Sequence, residues 1–169
     1  DEGSGYAIGL RGLRAVCRAY DGRGLPTLLQ QLLEEQMGFS KPEQILGWVK
    51  QIQANKTDIG ALSRIVHKAA EQGDEVAQTI LREEADELAL AAEAVAKKLF
   101  GADRDFEIVV GGGNLRKSAY YFALFRAAVE QRLPGVNVIH PRREPVEGAI
   151  LYALEQLKKQ ETVGTGGRA

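Results

Sequence analysis

Two short, β-branched apolar runs near the end of the chain constrain it most. Phe106-Glu107-Ile108-Val109-Val110 runs directly into Gly111-Gly112-Gly113. Val136–His140 follows a helical segment, Leu115–Leu133, that Pro134-Gly135 stops. A strand, a helix and a second strand at this spacing predict parallel strands joined by a right-handed crossover. Only these two runs read as strands, and a stable sheet usually has about three or more. Exposed apolar strand edges also invite aggregation. The strands must therefore pair with something outside this chain or lie under helices.

The preceding sequence reads as helix. In Tyr6–Asp21, the residues Leu10, Leu13, Val16, Cys17 and Tyr20 recur at helical spacing, and Gly22 and Gly24 end the segment. Pro26-Thr27 introduces a short helix, Leu28–Met37, with Gly38 behind it. Ser40-Lys41-Pro42-Glu43 has capping-box spacing and opens a helix to about Gln53. Ile59, Leu62, Ile65, Val66 and Ala69 form one stripe closed by Gly73. Asp74 is placed to cap the longest helix, about Glu75–Phe100, whose stripe is Leu81, Ala85, Leu88, Ala92, Val95 and Leu99. Pro145 starts a last helix to about Lys159, and the tail Thr162–Ala169 is glycine-rich with little to anchor it. No internal repeat is visible.

Charge and cysteine content remove several classes of function. The 22 basic and 23 acidic residues leave a net charge of −1, so no overall field draws the chain to nucleic acid or an anionic membrane. No apolar run approaches the roughly 20 residues of a membrane span, and no signal segment appears. The single cysteine, Cys17, cannot form an internal disulfide, which fits a reducing, cytoplasmic setting. The chain lacks an initiating Met and reads as a piece of a longer protein.

Three stretches could carry chemistry. Glycines 111–113 at the carboxyl end of a strand permit a tight turn and let a ligand approach bare backbone, ahead of a helix N-terminus. No Gly-Lys-Ser/Thr follows, so this is not a P-loop, and Arg116 stands where the third glycine of a dinucleotide fingerprint belongs. The alternative is a plain strand–helix turn with Asn114 as N-cap. In Pro145-Val146-Glu147-Gly148-Ala149, a glycine inside a helix asks for a packing reason. Close approach to the Gly111–Gly113 loop would supply it, or Gly148 is simply a small residue against a strand. Asp1-Glu2, before Gly3-Ser4-Gly5, either caps the first helix or presents carboxylates to sugar-like hydroxyls.

Other candidates carry less. His67 and His140 lack neighbours at ligand spacing, so no metal site is expected. Cys17 reads as a core residue, and Glu83-Glu84-Ala85-Asp86-Glu87 reads as a solvated face. Arg116-Lys117 and Arg142-Arg143 follow the two strand ends; they read as surface charge, with phosphate contact as the alternative.

In this order, Asp1-Glu2-Gly3-Ser4-Gly5-Tyr6, Val109-Val110-Gly111-Gly112-Gly113 and Pro145-Val146-Glu147-Gly148-Ala149 resemble the BadF/BadG/BcrA/BcrD ATPase family. The similarity is to its N-acetylglucosamine kinase branch, within the sugar kinase/heat-shock protein 70/actin superfamily. It spans nearly the whole chain. The first motif is fairly specific to the kinase branch, where a glycine normally precedes the acidic pair; the second and third recur across the superfamily.

The resemblance implies an α/β fold: the helix-rich C-terminal part of a ribonuclease H-like, actin-like ATPase domain, with few strands. Residues 1–160 would be that partial domain, with a helical insertion at 25–100, a strand–helix–strand–helix nucleotide-side core at 106–160, and a flexible tail at 161–169. The family's phosphate loop, its general base and three antiparallel strands would lie in an absent N-terminal half, so no catalytic residue is expected here and the isolated piece should be inactive. The resemblance further implies ATP and Mg²⁺ as cofactors and an amino sugar as substrate, with a homodimer among the expected partners. Gly111, Gly112, Gly113, Asn114 and Lys117 would lie at the nucleotide, and Asp1 and Glu2 at the sugar. Two alternatives share the scaffold. One is an ATPase activator of a 2-hydroxyacyl-CoA dehydratase system, which would need a cysteine-held iron–sulfur cluster that Cys17 alone cannot supply. The other is a ligand-sensing domain without turnover.

Overall fold

The computed structural model describes residues 2–38, 41, 43–45, 47–48 and 56–165. Their order is α1 (Gly5–Tyr20), α2 (Leu28–Met37), α3 (Lys56–Ala61), α4 (Ser63–Glu71), α5 (Glu75–Phe100), β1 (Glu107–Val109), α6 (Gly113–Lys117), α7 (Ala119–Arg132), β2 (Asn137–Ile139) and α8 (Pro145–Thr165). Residues 43–45 and 47–48 are helical and Lys41 is a bend; the other residues of the expected Ser40–Gln53 helix lie outside the described residues, as do Asp1 and 166–169. No described helix is long and apolar enough to cross a membrane.

Side-chain caps fix four of the helix starts, those of α1, α2, α5 and α7. Ser4 accepts from Ala7 N–H at 3.1 Å and opens α1, so the carboxylate-cap reading of the first helix gives way to a serine cap. Asp74 caps α5 as expected, accepting from Ala77 N–H at 2.7 Å. The same carboxylate accepts from Leu28 N–H at 2.7 Å and from the Thr27 hydroxyl at 3.0 Å, so it also holds the start of α2. Gly38 ends α2 at φ +69°, a conformation glycine adopts without a Cβ penalty.

The long α5 is the scaffold, packed most extensively against α7 and also against α4 and α1. Ile8, Val16, Leu29, Leu81 and Leu133 are fully buried in one continuous core. Each such burial stabilises by about 1.5–3 kcal/mol. Helix α1 reaches α3 and α4 through glycines: a Cβ at Gly9 would lie 2.1 Å from Ile59 O, and one at Gly12 2.7 Å from Val66 Cγ2.

The two strands pair in parallel, Glu107 opposite Asn137, Ile108 opposite Val138 and Val109 opposite Ile139. The result is a helix-rich α/β fold with a two-stranded parallel sheet among the described residues.

Several expectations are corrected. The single helix Leu115–Leu133 is two helices, because Ser118 adopts an extended backbone and caps α7 through Tyr121 N–H at 3.2 Å. The Ile59–Ala69 stripe is all buried but bends at Leu62 between α3 and α4. On α5 the buried face drifts from Leu81 and Ala85 to Ala89 and Ala96, leaving Val95 57% and Leu99 68% exposed. On α1, Tyr20 is exposed. Helix α8 continues to Thr165, and Val146, Ile150, Leu151, Tyr152, Leu154 and Leu157 on it are exposed. A Cβ on Gly148 would meet nothing within 4 Å among the described residues, so neither a close approach to the Gly111–Gly113 loop nor packing against a strand accounts for it.

Candidate functional site

The two glycine-rich stretches open onto one groove of about 730 Å³. Glu2, Gly3, Ser4 and Gly5 line it on one side, and Gly111, Gly112, Gly113 and Asn114 on the other. Leu88, Ala92 and Val95 of α5 and Phe106, Ile108 and Val109 around β1 make it largely apolar. Val95, placed by periodicity in the core stripe, is therefore a groove residue. Phe100 and Phe106 stack at the same groove, ring centroids 4.2 Å apart and planes 12° from parallel. Ligand pockets commonly combine such an apolar floor with a few backbone polar groups, at volumes of roughly 300–1,000 Å³.

The sheet positions the glycine turn. Val110 N–H donates to Ile139 O at 3.0 Å, carrying the pairing one residue past β1. The chain then turns at Gly112, φ +80°, a conformation that a side chain would strain. A Cβ at Gly111, Gly112 or Gly113 would meet nothing within 4 Å, so the backbone there is open to a ligand. Asn114 is not the N-cap; Gly112 occupies that position, and Asn114 lies in the first turn of α6. With only five residues in α6, the expected helix dipole is small, and the open backbone is the feature that remains.

Asn114 instead connects the turn to the helical layer. Ser63 Oγ donates to Gly60 O at 2.8 Å and lies 3.3 Å from Asn114 Oδ1. Beneath them lies His67, 9% exposed, edge-on to Tyr121 with ring centroids 5.4 Å apart. Neither His67 ring nitrogen has a hydrogen-bond partner of good geometry among the described residues. Burial pushes the imidazole below its ordinary value, and the nearby Asn114 amide offsets this in part.

The opening stretch is held from two sides. Gly3 N–H donates to Glu84 Oε2 at 2.7 Å, and the Tyr121 hydroxyl donates to Gly3 O at 3.3 Å. Burial, with the Glu84 charge nearby, pushes the Tyr121 phenol strongly up, so it stays a donor. Glu84 corrects the solvated-face reading of the acidic run: it is 6% exposed, whereas its neighbour Glu83 is exposed.

The remaining candidates separate from the groove. Lys117 is exposed on α6 and does not line it. Arg116 pairs with Glu144 at 2.8 Å, Arg142 with Glu107 at 2.8 Å, and Arg143 lies 3.9 Å from Glu147. No lysine or arginine lines the groove among the described residues. His140 stacks on Phe122, and Cys17 is half-buried on α1. No cluster of His, Cys, Asp or Glu among the described residues is built to hold a metal ion.

A helix-rich α/β domain whose glycine turn and glycine-rich N-terminal stretch share one groove defines the class. The chain belongs to the BadF/BadG/BcrA/BcrD ATPase family, whose model matches residues 1–153. It is 29% identical over 153 residues to an N-acetylmuramic acid/N-acetylglucosamine kinase of Clostridium acetobutylicum, covering 90% of this chain and 50% of that protein. It is 32% identical over 161 residues to an N-acetyl-D-glucosamine kinase of Dictyostelium discoideum, covering 94% of this chain and 50% of that protein. The chain thus spans about half the length of the curated relatives it matches.

Proposed function

We propose that this chain forms the C-terminal, nucleotide-facing part of a cytoplasmic ATP-dependent kinase of an amino sugar such as N-acetylglucosamine, built on a ribonuclease H-like domain. The observation that carries the reading is the convergence of the Glu2–Gly5 stretch and the Gly111–Asn114 turn on one groove. Family membership and the kinase names of two relatives support it.

In this reading the open backbone of Gly111–Gly113 admits the nucleotide, because a side chain at the turn would occupy the approach. Asn114 orients the turn from below and Lys117 lies one helical turn away. The apolar floor between α5 and β1 excludes water on the nucleoside side. Asp1 and Glu2 accept hydrogen bonds from sugar hydroxyls. Phosphoryl transfer is mostly positioning and charge stabilisation, and a bound Mg²⁺ would supply charge neutralisation at the phosphates. The described residues offer no metal cluster, so no Mg²⁺ ligand is assigned to them. The general base belongs to sequence outside this chain.

Titration calorimetry of the full-length gene product with ATP–Mg²⁺, joined to an ADP-release assay over an amino-sugar panel, tests the proposal. Sugar-dependent ADP release is expected, together with loss of ATP binding in Gly112→Val. Absence of ATP binding in the unaltered protein overturns the reading. Binding of both ligands without ADP release replaces it with a sensor.

A further inference from the structure

Glu84 is a carboxylate out of water, and such a group needs compensation. It has two partners on different elements: Gly3 N–H at 2.7 Å on Oε2, and Arg11 Nη1 at 3.2 Å on Oε1. Arg11 also pairs with the exposed Glu83. The charge is thus balanced by one guanidinium, and the second oxygen is left for a backbone amide.

That amide belongs to a constrained residue. Gly3 is buried at φ +72°, and a Cβ there would lie 2.9 Å from Leu88 Cβ. The Tyr121 hydroxyl holds its carbonyl at 3.3 Å. The N–H is therefore fixed from α5 and the C=O from α7, on either side of one glycine. The residue joined to that N–H is Glu2, which is exposed and lines the groove. The peptide plane between Glu2 and Gly3 contains the N–H that Glu84 grips, so the bond sets where the Glu2 Cα and side chain begin.

We propose that Glu84 is a positioning residue for the substrate site: through the Gly3 N–H it aims Glu2 into the groove. This rests on the reading that Glu2 faces the sugar. Hydrogen bonds to charged groups are the stronger class. The link also spans 81 residues, so a long-helix side chain sets the geometry of a stretch remote in sequence. A bond made only for folding has no need to end on the peptide that carries a groove residue.

The test compares Glu84→Ala and Glu84→Gln in the full-length gene product. Glu84→Ala removes the acceptor; Glu84→Gln keeps an acceptor oxygen for Gly3 N–H and removes the charge. In Glu84→Ala the sugar KM is expected to rise by about tenfold or more, with the ATP KM within about twofold, as losing a charge-assisted hydrogen bond predicts. Glu84→Gln should restore most of the sugar KM. Amide hydrogen exchange at Gly3 should speed up in Glu84→Ala and stay slow in Glu84→Gln. Equal rises in both KM values, or lost thermal stability with an unchanged sugar KM, overturn the positioning role alone. If Glu84→Ala does not fold, Glu84→Gln and Arg11→Leu carry the test: loss of the sugar KM in Arg11→Leu with Gly3 exchange still slow overturns it. An unaltered protein without sugar-dependent turnover overturns the kinase reading, and the positioning role with it.

Discussion

Ser63 on α4 lies 3.3 Å from Asn114 Oδ1 on α6, across 51 residues, and this contact ties the helical layer to the glycine turn. The buried His67 sits one turn further along α4, beside the same amide. Its imidazole is held below the ordinary value near 6.5. Between the lowered folded value and 6.5 the unfolded chain binds more protons than the folded one, so stability rises with pH through that window. The contribution is present above about pH 6.5 and is lost as pH falls toward the folded value. Denaturant melts at pH 7 and pH 5.5 are expected to show this loss, with a flatter dependence in His67→Leu. Carboxylates held down by arginine or lysine, such as Glu93 beside Lys97 and Glu144 beside Arg116, act at lower pH and leave this window clear. An unchanged slope in His67→Leu would refute the assignment.

Ser118 separates α6 from α7 and is 7% exposed. Its hydroxyl satisfies Tyr121 N–H at the start of α7, and Tyr121 in turn reaches Gly3. Ser118→Ala should lower stability by about 1 kcal/mol, the usual cost of an N-cap. Ser118→Asp, which can accept the same bond, should recover most of it. Equal midpoints for all three proteins in urea would count against the cap.

How much of this was legible in the sequence varies with the signal. The strand pair and its crossover could be read because β-branched runs, a glycine cluster and Pro134-Gly135 are local signals. Asp74 was legible as the α5 cap for the same reason, but its second duty at α2 was not, since Leu28 N–H is a backbone group with no signature. Glu84 was hidden twice over. It sits in a run of charges that reads as solvated, and one of its partners is the Gly3 amide. The Ser118 break was missed because Ala119-Tyr120-Tyr121-Phe122 continues an apolar helical pattern without a glycine or proline. Both glycine stretches were legible as turns; their meeting at one groove depends on α5 and α7 holding Gly3, a tertiary fact.

Asp74 links two helices through one carboxylate, 8% exposed, accepting from Ala77 N–H, Leu28 N–H and the Thr27 hydroxyl. Replacing it with Ala uncaps α5, where Ala77 N–H is buried, and leaves Leu28 N–H and the Thr27 hydroxyl without their acceptor at the start of α2. The own cap of α2 is the Thr27 side chain, accepting from Leu29 N–H at 3.2 Å. A loss of about 2–3 kcal/mol is expected for Asp74→Ala. Thr27→Ala removes the α2 cap side chain alone and should lose about 1 kcal/mol. A double-mutant cycle should show coupling, because both act on one network. Additive losses would show that the two helix starts are held independently.

Gly9 gives the sharpest steric prediction. A Cβ there would lie 2.1 Å from the Ile59 carbonyl oxygen, far inside van der Waals contact, and that atom is backbone and cannot rotate away. Helix α1 would have to lift from α3. Overpacking of this kind costs about 1–3 kcal/mol. Gly9→Ala should therefore lower the thermal midpoint, although alanine has the higher helix propensity by about 1 kcal/mol. The displacement would propagate to Gly5, where an added Cβ already approaches Gly60 O at 3.0 Å and Ser63 Oγ at 3.3 Å. Since Gly5 lines the groove and Ser63 meets Asn114, Gly9→Ala is expected to weaken sugar and nucleotide binding together, unlike Glu84→Ala. Calorimetry with each ligand separates the two patterns, and a stabilised Gly9→Ala protein would show that α1 and α3 do not meet at this glycine.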